Sequence, residues 1–64
     1  MTLDKARRLA TNYARGFKRA YFVLINEDLS NYQVIASGQT MPMGGPWLIY
    51  EAYDQTGNKM RDED

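Results

Sequence analysis

The residues that most enzymes use for proton transfer and nucleophilic attack are missing from this 64-residue chain, which has neither His nor Cys. That removes the common general base, the thiol nucleophile, the Ser-His-Asp arrangement and an ordinary zinc site. Its serines, Ser30 and Ser37, fall in a turn-forming stretch and at a strand end. Neither stands in a nucleophile-elbow pattern, and Lys5, Lys18 and Lys59 lie at no spacing that suggests a Ser-Lys pair. Glu27 and Asp28 are adjacent carboxylates, but neighbours in a turn point apart, and a solvated turn accounts for both. Asp54, Thr56 and Asn58 are spaced like the first ligands of a calcium loop, yet Lys59 stands where that loop requires Gly. Gly44-Gly45 runs into Pro46, which has no amide to offer a phosphate, and no Lys-Ser/Thr follows. The expectation is a non-enzyme with no catalytic residue, cofactor or metal.

What remains is charge. Residues 1–20 hold six basic side chains and one acidic, a net +5, whereas residues 21–64 hold two basic and seven acidic, a net −5. On a helical wheel Arg8, Arg15 and Arg19 form a stripe opposite the apolar arc, flanked by Lys5, Arg7 and Lys18. Such a stripe could follow a nucleic-acid backbone. The overall net charge of zero weakens long-range attraction to a polyanion, so nucleic acid is the alternative partner and a protein the preferred one.

The elements that must position these groups follow from periodicity. Leu3, Ala6, Leu9, Ala10, Tyr13, Phe17 and Ala20 recur at spacings of three and four, the pattern of an amphipathic helix. Thr2 is a fitting N-cap and Asp4 suits the first turn, so a helix is predicted over 3–19. Gly16 interrupts it at a cost of about 1 kcal/mol relative to Ala. Tyr21–Ile25 and Tyr32–Ser37 read as strands joined by the turn formers of 26–31, and Trp47–Tyr53 as a third strand. The stretch 38–46, with two Pro and three Gly, reads as loop. Gly57 marks a tight turn at 54–58. Residues 59–61 could return as a short fourth strand before an acidic, frayed tail at 62–64. The expected fold is α+β: one N-terminal helix on a three- or four-stranded antiparallel sheet in the order α-β-β-β, forming a single domain over 1–61.

Strand alternation then divides the side chains between two faces. Phe22, Leu24, Tyr32, Val34, Ala36, Leu48, Tyr50 and Ala52 are expected beneath the helix, against Leu3, Leu9, Tyr13 and Phe17. The other face would carry Tyr21, Val23, Ile25, Ile35, Trp47, Ile49 and Tyr53, with Gln33, Ser37 and Glu51 among them. So apolar a face usually marks an interaction surface, unless the 38–46 loop covers it with Met41, Pro42 and Met43. A chain this short buries only about 60% of its unfolded surface. With disulfides and zinc excluded, oligomerisation is the remaining common reinforcement. A homodimer or protein partner is therefore expected at Val23, Ile35, Trp47, Ile49 and Tyr53. The longest apolar run, 20–25, is too short to span a bilayer. Charges near the N-terminus argue against a signal peptide, giving a cytoplasmic expectation.

Overall fold

The side chain of Thr2 opens the helix as its residue type predicts. Its Oγ1 accepts a hydrogen bond from the Lys5 N–H at 3.3 Å, satisfying one of the free amides of the first turn. In the computed structural model, which describes residues 1–60, this helix, α1, spans Leu3–Phe17. It stops at Phe17 rather than Arg19 because Lys18 turns left-handed (φ 54°, ψ 48°). The amides of Lys18 and Arg19 both return to the Ala14 carbonyl, closing the helix by a left-handed cap. Gly16 stays inside the helix, so a cationic residue and not the glycine ends it.

Strands β1 (Tyr21–Asn26), β2 (Tyr32–Ala36) and β3 (Trp47–Tyr53) form one antiparallel sheet in the spatial order β2-β1-β3. The fold is thus α+β, a single helix on an antiparallel sheet, in the chain order α-β-β-β. Among the described residues the fourth strand reduces to one bridge between Tyr53 and Lys59. The Met60 N–H extends it with a 2.8 Å bond to the Ala52 carbonyl. Arg61 and the acidic tail at 62–64 lie outside the described residues.

The turn between β1 and β2 decides which side chains share a face. Asn26 Oδ1 accepts from the amides of Ser30 and Asn31 at 2.9 and 3.1 Å, and the Asn26 N–H bonds the Asn31 carbonyl at 3.1 Å. The resulting register sets Val23 against Val34 and Ile25 against Tyr32. Directly opposed residues point the same way, so Tyr32, Val34 and Ala36 share a face with Tyr21, Val23 and Ile25. This is the face on which α1 lies: Ala6, Ala10 and Ala14 pack with Val23 and Tyr53, and Leu3, Tyr21, Tyr32 and Val34 surround them.

The face assignment read from alternation is therefore corrected for β1. Val23 lies under the helix, and Phe22 and Leu24 lie on the far side. Tyr53 and Glu51 of β3 are also on the helix side, opposite Tyr21 and Val23, and Ala52 is on the far side opposite Phe22. A bulge then intervenes: Val23 faces Glu51 while Leu24 faces Ile49, leaving Tyr50 as the extra residue. Tyr50 also turns toward the helix side, with its ring edge-on to Tyr32 at 5.7 Å. Beyond the bulge Leu48 opposes Ile25, and Trp47 and Ile49 return to the far face.

The helix contact is corrected too. Three alanines form its centre: Ala6, Ala10 and Ala14 are fully buried with Leu3 packed against them as expected, whereas Tyr13 and Phe17 are exposed. Small side chains let the helix backbone settle close to the sheet, which pushes the longer ones to its flank.

The far face is not open. Strands β2 and β3 both run antiparallel to β1 and flank it, so they are parallel to each other. The connection 37–46 must travel from beside Tyr21 to beside Asn26 and cross β1 on the way. With α1 on one face, it crosses the other. Leu24, on that face, is fully buried and Ile35 is buried beside it. Leu24 and Ile35 thus form a second, thin buried layer on the side that the loop crosses, while Ile49 on the same side stays 56% exposed.

Candidate interaction surfaces

One carboxylate dominates the interior chemistry. Glu51, whose side chain is 4% exposed, accepts a bidentate pair from Arg7, Nε to Oε1 at 2.9 Å and Nη2 to Oε2 at 2.7 Å. The Tyr53 hydroxyl donates to Oε1 at 3.1 Å, and Lys59 Nζ stands 3.2 Å from Oε2. The Arg7 hydrogen bonds, aided by Lys59 and Tyr53, hold the Glu51 carboxyl at about 2 against the opposing effect of burial. Burial and the neighbouring carboxylate push the Tyr53 hydroxyl above its usual value. A carboxylate this acidic and this saturated is a poor general base at neutral pH. It ties α1, β3 and the segment after the Gly57 turn together. Sequence reading placed Glu51 on the far face and Arg7 beside a solvent stripe; only the fold brings them together.

That turn is itself well determined. Asp54 Oδ1 accepts from the Thr56 amide and hydroxyl and from the Asn58 amide at 2.9, 2.6 and 3.1 Å, and these bonds lower its pKa. Gly57 has φ +88°, and a Cβ there would sit 3.2 Å from the Thr11 carbonyl oxygen and 3.3 Å from Arg15 Nε. The residues that resemble a calcium loop thus form a hydrogen-bonded turn that docks on the helix.

Of the five residues expected at a protein interface, Val23 and Tyr53 are in the core beneath the helix, and Ile35 is buried on the side that the loop crosses. Trp47 is half-buried, with an indole N–H that has no acceptor among the described residues. Ile49 is 56% exposed. The expected contact set is not a continuous surface.

The outer edges of the sheet show a different surface. The bonds from the Ser37 amide to the Ala20 carbonyl and from the Asn26 amide to the Asn31 carbonyl fix the hydrogen-bonding phase of the hairpin. Gln33 and Ile35 point their backbone groups at β1, and Tyr32, Val34 and Ala36 point theirs outward. This edge is blunted. Gln39 Oε1 accepts from the Ala36 amide at 2.7 Å, the Gln39 amide returns to the Ala36 carbonyl at 3.1 Å, and Asn31 Oδ1 takes the Tyr32 amide at 3.0 Å.

On β3 the pairing with Met60 covers the edge at Ala52. Nothing among the described residues pairs with it at Trp47 and Ile49, whose backbone groups point outward. Leu48, Ile49 and Tyr50 here are 56%, 56% and 47% exposed, and no charged residue interrupts Trp47–Tyr50. Natural edge strands are normally interrupted by charge, proline or a bulge. Here the bulge comes at Tyr50 and Pro46 just precedes the strand, leaving a short apolar stretch between them.

The cationic stripe is only partly as expected. Arg8 and Arg15 are exposed on α1, but Arg19 follows the helix cap and Arg7 is committed to Glu51. Arg15 and Lys18 line a shallow groove with Gln55 and Thr56. No helix among the described residues is long and apolar enough to cross a membrane. Comparison with protein-family models, with curated proteins and with solved structures finds no match, so these surfaces are read from their own geometry.

Proposed function

We propose that this chain is a non-enzymatic protein-interaction module that self-associates by pairing the outer edge of β3 with the same edge of a second copy. The observation that carries this reading is the contrast between the two sheet edges: β2 is capped at its two ends by Gln39 and Asn31, whereas Trp47–Tyr50 is apolar, exposed and unpaired among the described residues. Two such edges pair antiparallel about a two-fold axis, the isologous arrangement of most dimers. Backbone hydrogen bonds then supply register, and Leu48 and Tyr50 on one face with Ile49 and Trp47 on the other supply apolar contact. A two-fold pairing puts no like charges together, because the stretch has none.

The test is the solution mass by light scattering over a concentration series. Twice the 7.4 kDa chain mass at high concentration, falling toward the chain mass on dilution, is the expected result. A constant monomer mass at every concentration overturns self-association.

A further inference from the structure

At the end of β1 opposite to the Trp47 edge, three aromatic rings gather, Tyr21 packed against the core and the other two exposed. Tyr13 and Phe17 lie 6.0 Å apart, Tyr13 and Tyr21 5.7 Å, and Phe17 and Tyr21 6.4 Å with only 26° between their planes. Phe17 is 68% and Tyr13 42% exposed. An aromatic cluster that served only the core would face inward, but the alanine stripe holds that position and leaves the rings at the helix flank.

Lys18 and Arg19 follow Phe17 directly, and Arg15 precedes it by half a turn; all three are exposed. None of them is in an ion pair among the described residues, where the only salt bridges converge on Glu51. Nearby Asp54 is occupied by its own turn. Glu27 and Asp28 sit in the turn at the far end of β1, and Asp4 in the first turn of α1.

We infer that this corner binds single-stranded nucleic acid, an unpaired base stacking on Phe17 and the flanking phosphates meeting Lys18 and Arg19. An exposed ring beside cations that pair with no carboxylate among the described residues is the combination that single-strand binders use. A duplex offers phosphates to the cations but no free base face to the ring, so the single strand is the occupant that satisfies both. The site lies away from the β3 edge and stands or falls independently of self-association.

The experiment is fluorescence anisotropy with a labelled pyrimidine oligonucleotide, single-stranded and annealed to its complement, across a salt series beginning at about 50 mM. The variants are Phe17→Ala and the double change Lys18→Asn with Arg19→Gln, Asn being tolerated in the left-handed conformation that Lys18 adopts. All three side chains are exposed, and circular dichroism verifies that the variants fold.

The expected result is preference for the single strand and a roughly 10- to 100-fold loss of affinity in Phe17→Ala. The double variant should flatten the slope of log affinity against log salt by about 1.4. An Ile49→Lys chain should bind as the parent does. Absence of binding at low salt, equal affinity for duplex and single strand, or an unchanged affinity in Phe17→Ala would each overturn the inference.

Discussion

Arg7 and Glu51, 44 residues apart in sequence, meet through two parallel hydrogen bonds of 2.9 and 2.7 Å. The arginine reaches from the helix flank and the carboxylate from the residue next to the β3 bulge. Bidentate geometry of this kind fixes orientation as well as distance, so the pair sets how α1 sits on the sheet.

The pair gives the fold an acid dependence. Glu51 titrates at about 2 in the folded chain against an ordinary value of 4.5, so its ionised form favours the folded state. Its stabilising contribution is complete above the ordinary value and is lost as the pH falls through about 2. Arg7→Ala leaves the carboxylate buried without its main donor, and the acid transition followed by circular dichroism should move to higher pH. Glu51→Gln should cost roughly 1–3 kcal/mol in neutral urea unfolding, and its stability should vary less than the parent's across this acid range. Parallel profiles for parent and Glu51→Gln would remove Glu51 as the source.

The alanine stripe predicts an inversion of the usual size rule. Ala10→Leu should destabilise by about 1–3 kcal/mol, because a fully buried methyl is replaced where helix and sheet are already in contact. Leu9→Ala, on the half-buried flank, should cost less. Chemical denaturation of the two variants compares them directly.

Two glycines should respond with opposite sign. Gly16 lies within α1 with nothing inside 4 Å of an added Cβ, and Gly16→Ala should raise stability by roughly 0.5–1 kcal/mol. Gly57 has φ +88° and faces the Thr11 carbonyl at 3.2 Å. Gly57→Ala should therefore lower stability by about 1–3 kcal/mol. Thermal melts in the same buffer suffice.

At the β3 edge, Ile49→Lys should abolish any concentration-dependent increase in mass while shifting the unfolding midpoint little, since the side chain is more than half exposed. Ile35→Lys, by contrast, places a charge at a buried position of the far face and should unfold the chain. A mass unaffected by Ile49→Lys would remove Ile49 from the interface.

The sequence by itself determined the elements. Periodicity located α1, alternation and β-branched residues located the strands, and Thr2, the Asn26–Asn31 stretch and Gly57 marked the cap and turns, because each of these is a local backbone preference. It also showed the apolar character of both sheet faces and left open whether the 38–46 loop covers one of them.

Tertiary structure decided which face meets the helix. Strand β1 is apolar on both sides, so alternation defines two sets without saying which lies under α1. The Asn26-anchored register placed Val23 there and Leu24 opposite. The same non-local geometry put β1 in the middle, which sends the 37–46 loop across the far face. It also brought Arg7 to Glu51 and left the aromatic rings outside the alanine contact. A one-residue change in register or a single bulge reverses a strand's faces. No local signal in the residues encodes either, which is why Val23 and Tyr53 could be read as surface and prove to be core.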